Sequence, residues 1–355
     1  MSTDQTEWSS RQLLDWMKGR FQAADIDAPR VVAETLLAKA FACSRLHLHM
    51  HPERPASPDE RECLREDVRR VLSGEPLHYI TGQVQFWHGT FFIRPCTQIP
   101  QPCTELLVSH TLTLLAERGH ALGHGRRAAD STFDPDFAAA GLHEVDSRLV
   151  QQQSSAVDAV DVSQEAGAAS NHQPSLPTLN VLEAGVGSGA VIVSLLQSLP
   201  DSLGVGVDVE PECLNLAREN AHEMGVAERL QLMLHDVKVP LSGAYDIVVG
   251  NLPYIPDREW PHNIDPGVLG FTPESALRGG ADGLDVIRPF VGWVDQVMRS
   301  DGIIGLEHAS ESAADVALLL EQAGFSNVAS LPDEDGLLRC TFGVWPGASK
   351  SVSEG

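Results

Sequence analysis

Positive charge is scarce in this chain. Twenty-five Lys and Arg face 49 Asp and Glu over 355 residues, a formal net charge of −24. Such a surface repels phosphate backbones, so bulk nucleic-acid binding is disfavoured and a protein or small-molecule partner is expected. Cysteine pairs are missing too. The six cysteines (43, 63, 96, 103, 213 and 340) form no C-x-x-C and no metal-ligand spacing, which excludes a zinc ribbon and suggests reduced thiols in a cytoplasmic protein. No apolar run approaches the ~18 residues of a membrane span. Residues 1–10 have neither a basic leader nor an apolar core, so no targeting segment is expected. His47, His49 and His51 alternate close to Pro52 and Arg54, and read as a polar loop with no metal.

Residues 8–73 carry helical periodicity. Leu13, Leu14, Met17 and Phe21 share a face, Pro29 precedes Val32, Leu36, Leu37 and Ala40, and Ser57-Pro58-Asp59-Glu60 is a capping box. A bundle of about four helices is expected over 1–75. Gly74-Glu75-Pro76 ends it. Residues 76–119 then read as paired strands (Leu77 to Ile80, Phe86–Trp87, Phe91 to Ile93) and a helix from Leu106 to Glu117. Residues 120–176 are rich in Ala, Asp, Ser, Gln and His without periodicity, and suggest a disordered insertion. They hold eight acids and three arginines, so most of the acidity lies elsewhere. Over 177–346 strand and helix patterns alternate, as in a mostly parallel, doubly wound α/β sheet. Its strands are expected at 179–184, 203–209, 230–234, 245–250, 302–307, about 326–330 and 338–344. Residues 347–355 read as a disordered tail.

Chemistry concentrates at the ends of those strands. Val181-Leu182-Glu183-Ala184-Gly185-Val186-Gly187-Ser188-Gly189 is a strand running into a Gly-rich turn that opens a helix, which brings backbone N–H groups close to a ligand. The spacing G-x-G-x-G is not the dinucleotide fingerprint. Asp208 ends the next strand, where a carboxylate can accept from both hydroxyls of a ribose. Asp236 follows the third strand, within reach of an adenine edge. A nucleoside site without a pyrophosphate cradle suits S-adenosylmethionine. After the fourth strand come Gly250-Asn251-Leu252-Pro253-Tyr254. The Asn251 side-chain oxygen and the Leu252 carbonyl can each accept one hydrogen of a planar NH₂ group, and the Tyr254 ring can lie against its face. Holding both hydrogens leaves the nitrogen lone pair aimed at an electrophile. Asn251 and Tyr254 are therefore the candidate catalytic residues, and Asn251, Leu252, Pro253 and Tyr254 the candidate substrate clamp.

These residues resemble the HemK-type release factor glutamine methyltransferases. The likeness covers nearly the whole chain outside 120–176. It includes Asp27-Ala28-Pro29-Arg30 with Glu34, the run Gly74-Glu75-Pro76-Leu77-His78-Tyr79-Ile80-Thr81-Gly82, Ile99-Pro100 with Thr104-Glu105, Asn251 to Tyr254, Pro273-Glu274-Ser275-Ala276-Leu277, and Leu306-Glu307-His308. The resemblance implies a Rossmann-like, seven-stranded S-adenosylmethionine-dependent methyltransferase with a helical substrate-binding domain and a connecting β-hairpin. It also implies transfer of a methyl group to the side-chain amide of the Gly-Gly-Gln glutamine in a peptide chain release factor. Carried over by position, Gly185, Val186, Gly187, Ser188 and Gly189 would wrap the cofactor's methionine portion, Asp208 would hold the ribose, Asp236 and Val237 would border the adenine, and Asn251, which would also touch the cofactor, would bind the target glutamine together with Leu252, Pro253 and Tyr254. A monomer is expected. The family's second motif residue, Pro, is Leu252 here, and its Arg and first Glu in Ile-Pro-Arg-Pro-Glu-Thr-Glu are Gln101 and Cys103. The alternatives are a glutamine methyltransferase of a ribosomal protein, a nucleic-acid exocyclic-amine methyltransferase, or an inactive scaffold.

Overall fold

The computed structural model describes residues 8–120, 122–123, 178–262, 264 and 266–347. The expectations for the insertion and the tail lie almost wholly outside the described residues. Two compact units divide the chain, one taking the described residues up to Leu64 and the other those from Arg65. The sequence boundary at residue 75 marks the end of a helix, whereas the compact units divide inside it.

The first unit holds α1 (Ser10–Ala23), α2 (Pro29–Ala40), α3 (Arg45–Met50) and the start of α4 (Pro58–Leu72). Ser9 and Gln12 cap α1 reciprocally, and Ser57 and Glu60 do the same for α4, at 3.2 Å and 2.7 Å. Leu13, Met17 and Phe21 of α1 are buried, as are Leu36 and Leu37 of α2. His47 and His49 fall within α3 instead of a loop, because the Ser44 hydroxyl accepts the His47 N–H at 3.1 Å and starts a helical turn. The buried Glu34 accepts from Arg30 at 2.7 Å and Arg45 at 2.6 Å. Burial alone would raise its carboxyl pKa, but the two guanidinium groups overcome that and hold it low.

In the second unit Leu77 to Ile80 are not a strand. They form a short helix, α5 (Leu77–Thr81). The Pro76 carbonyl accepts the N–H groups of Tyr79 and Ile80, and Gly82 closes the turn at φ +72°. The β-branched and aromatic residues favour extension, but the local turn geometry overrides them. The hairpin is β1 (Gln83–Phe86) with β2 (Gly89–Phe92), and Trp87 sits in its two-residue turn, not in the strand. α6 (Glu105–Glu117) follows, and Glu105 accepts the Trp87 N–H at 2.7 Å.

The remaining elements are β3 (Asn180–Ala184), α7 (Ala190–Ser198), β4 (Leu203–Asp208), α8 (Pro211–Glu223), β5 (Leu230–Leu234), β6 (Tyr245–Gly250), β7 (Ile255–Pro256), α9 (Pro266–Phe271), β8 (Arg278–Gly280), α10 (Ile287–Val294), β9 (Met298–Glu307), α11 (Ala313–Gln322), β10 (Ser326–Pro332) and β11 (Leu338–Trp345). Seven strands make one sheet in the order β10-β11-β9-β6-β3-β4-β5. β9, β6, β3, β4 and β5 run parallel, and β11 is antiparallel to both of its neighbours. Val181, Leu182, Val248, Val249, Ile303 and Ile304 are fully buried, as a sheet covered on both faces requires.

The register positions the site. Ala184 pairs with Val207 on one side and Gly250 on the other, and Gly250 pairs in turn with Leu306. One step further along each strand, Gly185, Asp208, Asn251 and Glu307 therefore form a row across the carboxyl ends. The chain runs outward from β3 to β4 and β5, then returns to β6 on the other side. This is a topological switch point, where open α/β sheets bind ligands.

Candidate functional site

A cavity of about 350 Å³ opens at that row. The Gly-rich turn forms its floor. Gly185, Gly187 and Gly189 have φ of +71°, +51° and +78°, a region costly for residues with a Cβ. The N–H groups of Gly185 and Val186 both donate to the Val207 carbonyl at 2.9 Å, and Gly187 N–H donates to Asp208 Oδ2 at 2.9 Å. A Cβ on Gly187 would lie 2.6 Å from Thr97 Oγ1. Gly187→Ala should therefore displace the turn, weakening binding of an S-adenosyl ligand by roughly tenfold or more. Calorimetry with S-adenosylhomocysteine checks this. Val186 and Ser188 are buried and border the cavity. Gly189 does not border it. This residue is the N-cap of α7, where a Cβ would meet Ala217 at 3.1 Å.

Asp208 also accepts the Glu210 N–H at 2.9 Å. Burial raises its pKa, and the N–H groups of Glu210, Gly187 and Val209 draw it part of the way back. Behind the turn, the buried Glu183 accepts the Ile192 N–H of α7 at 3.0 Å. Burial pushes this carboxyl well up, and the nearby Asp208 charge adds to the rise. Asp236 is half exposed and accepts the Lys238 N–H at 2.9 Å. Val237 is buried, and its carbonyl accepts from Trp293 Nε1 of α10 at 2.9 Å, so this wall is fixed from behind. Both residues border the cavity.

Asn251, Leu252 and Pro253 border it from the β6 side. Asn251 Nδ2 donates to Thr104 Oγ1 at 3.4 Å, while its Oδ1 is buried without any hydrogen-bond partner among the described residues. A buried acceptor left unpaired is costly and points to a ligand donor. Leu252 is 2% exposed and packs into the core on the Gly185 side of the sheet. Tyr254 does not border the cavity. Its hydroxyl donates to Glu307 Oε1 at 3.0 Å, and burial together with the Glu307 charge pushes the phenol pKa well up.

The sequence reading assigned no role to one whole wall, residues 96–100. Tyr79 holds it in place, its hydroxyl donating to the Thr97 carbonyl at 2.7 Å and meeting Thr272 Oγ1 at 3.0 Å. Arg278 at the mouth pairs with Asp257 at 2.6 Å and with Glu274. The available signal was the conspicuous run containing Tyr79 and the Pro273-Glu274 segment. Gln101 donates to the Ile99 carbonyl at 3.0 Å. Cys103 is pushed up to about 11 by burial and by Glu307, which keeps it a thiol and a poor nucleophile.

Residues 12–82 match the family described as PrmC N-terminal domain, and residues 181–265 match one described as a methyltransferase domain. A release factor glutamine methyltransferase of Chlorobaculum tepidum is 28% identical over 337 residues, 94% of this chain and 96% of the relative. The enzyme of that name from Geobacter sulfurreducens is 28% identical over 95% of this chain and 96% of its own. Another from Nitratidesulfovibrio vulgaris is 29% identical over 86% of this chain and 84% of its own. The chain thus carries a methyltransferase domain behind a helical unit of the PrmC type, on a seven-stranded sheet. Over nearly its whole length it is similar to release factor glutamine methyltransferases.

Proposed function

We propose that this protein methylates the side-chain amide nitrogen of the Gly-Gly-Gln glutamine in a peptide chain release factor, with S-adenosylmethionine as donor. One observation carries the reading. Asn251 borders the same cavity as the Gly-rich turn, and its Oδ1 is a buried acceptor with no partner among the described residues.

The residues present fit the cofactor. Gly185 and Gly187, both with positive φ, form a cradle that a Cβ at Gly187 would fill, and the Asp208 carboxylate stands level with it on the next strand. In this reading Gly185 to Ser188 border the methionine portion with Gly189 shaping the turn behind them, Asp208 accepts from the ribose, and Asp236 and Val237 flank the adenine. When bound, S-adenosylmethionine supplies an electrophilic sulfonium methyl group. Asn251 Oδ1 and the Leu252 carbonyl accept the two N–H groups of the glutamine amide, while Tyr254, outside the cavity lining, is anchored on Glu307 and supports the clamp from behind. Fixing both hydrogens orients the nitrogen lone pair, and placement supplies much of the rate. The methylated nitrogen then loses its proton to water, so no buried base is required.

The helical unit is assigned to gripping the protein substrate, and the enzyme is assigned as a cytoplasmic monomer. A net charge of −24 favours a protein over a nucleic acid. No helix among the described residues is long and apolar enough to cross a membrane. The test is transfer of labelled methyl from S-adenosylmethionine to purified class 1 release factor and to its Gly-Gly-Ala variant. The first should be labelled and the second not. Label on RNA or DNA, or tight salt-sensitive binding to either, would favour the exocyclic-amine reading.

A further inference from the structure

We propose that Thr104 and Glu307 are positioning residues that set which way round the Asn251 carboxamide sits, with Oδ1 turned to the substrate. This rests on the glutamine-methylation reading. A carboxamide is nearly symmetric in shape but not in chemistry, since one end donates twice and the other accepts. Only one orientation can hold an incoming NH₂ group. The reversed one would set donor against donor.

Three observations show what decides the orientation. Thr104, just ahead of α6, is 3% exposed, and its Oγ1 lies 3.4 Å from Asn251 Nδ2. Glu307, the last residue of β9, is fully buried and stands beside Asn251 in the sheet row, because Gly250 pairs with Leu306. Tyr254 donates to Glu307 Oε1 at 3.0 Å, while Oε2 is buried with no partner within bonding range. Burial raises the Glu307 carboxyl, and its interactions with the Thr104, Tyr254 and Asn251 side chains draw it back. Behind Asn251 there is thus a hydroxyl and the Glu307 carboxyl, which already accepts from Tyr254. Turning Oδ1 that way would bring oxygen toward the carboxyl oxygens and leave the amide donors facing the cavity. The arrangement therefore selects the orientation in which Nδ2 faces Thr104 and Oδ1 is left for the ligand.

Thr104→Val keeps the shape and removes the hydroxyl. With purified class 1 release factor and labelled S-adenosylmethionine, kcat should fall roughly 10- to 100-fold. KM for release factor and the calorimetric Kd for S-adenosylhomocysteine should each stay within about twofold. Thr104→Ser should restore most of kcat. Glu307→Gln, which keeps the volume but places a donor behind Asn251, should lose kcat in the same pattern. A Thr104→Val enzyme with wild-type kcat would overturn the inference. So would a loss of cofactor affinity equal to the loss of kcat, since that marks a general structural role. If Thr104→Val does not fold, Glu307→Gln decides by the same criteria. If the wild-type enzyme leaves the release factor unlabelled in the same assay, both the inference and the reading beneath it fall.

Discussion

Asn251→Ala should lower kcat on release factor by roughly 30- to 1,000-fold while leaving S-adenosylhomocysteine affinity close to wild type. The range follows from about 2–4 kcal/mol of barrier for losing one preorganised polar contact to the reacting group. Asn251 Oδ1 has no other partner, so removing it breaks no interaction within the folded protein. Nδ2 contributes the 3.4 Å contact to Thr104 and an interaction with the Glu307 carboxyl. The stability cost is therefore small, and the effect should appear in kcat alone. A matching fall in cofactor affinity would mean that Asn251 serves the cofactor and not the amide. Wild-type turnover would remove it from the mechanism altogether.

Asp208→Ala should weaken S-adenosylhomocysteine binding by about two orders of magnitude. Two losses combine here. Charge-assisted hydrogen bonds to ribose hydroxyls contribute about 1.5–3 kcal/mol. The carboxylate also accepts the N–H groups of Gly187 and Glu210, each at 2.9 Å, and so fixes the Gly-rich turn. Without it the turn is anchored by the Val207 carbonyl at its start and by Asn220 Nδ2, which donates to the Ser188 carbonyl at 2.8 Å, with no described residue holding the Gly187 N–H between them. Asp208→Asn retains an acceptor and the side-chain volume, and should fall between wild type and Ala. Calorimetry on the three proteins gives the order directly. An Ala variant that binds as tightly as wild type would place the ribose elsewhere.

The parallel sheet was legible because its strands are short apolar runs separated by helical periodicity, and each strand exit carries a turn signal. The 230–234 and 245–250 strands match β5 and β6 residue for residue, and 203–209 overshoots β4 by one. The helical unit was legible from its caps. Leu77 to Ile80 were misread as a strand because tyrosine, isoleucine and threonine favour extension, while the deciding contact, Pro76 carbonyl to Tyr79 and Ile80, is a matter of turn geometry. Strand exits also revealed which residues would meet, since register brings Gly185, Asp208 and Asn251 level. What stayed hidden is held by long-range pairs with no periodic signature. Tyr79 reaches Thr97 and Thr272, Thr104 meets Asn251, and Tyr254 reaches Glu307. Tyr254 was read as laying its ring against the amide; it falls outside the cavity lining, and its hydroxyl donates to the buried Glu307, which fixes the ring from its far end.

The central claim is that the carboxamide of a release factor glutamine is the methyl acceptor. Its most direct test is fragmentation mass spectrometry of the Gly-Gly-Gln peptide from release factor incubated with this enzyme and isotopically labelled S-adenosylmethionine. The account predicts a single labelled methyl on the glutamine side-chain nitrogen, and none when Asn251→Ala replaces the wild-type enzyme. An unmodified glutamine, or the label on another residue, would contradict it.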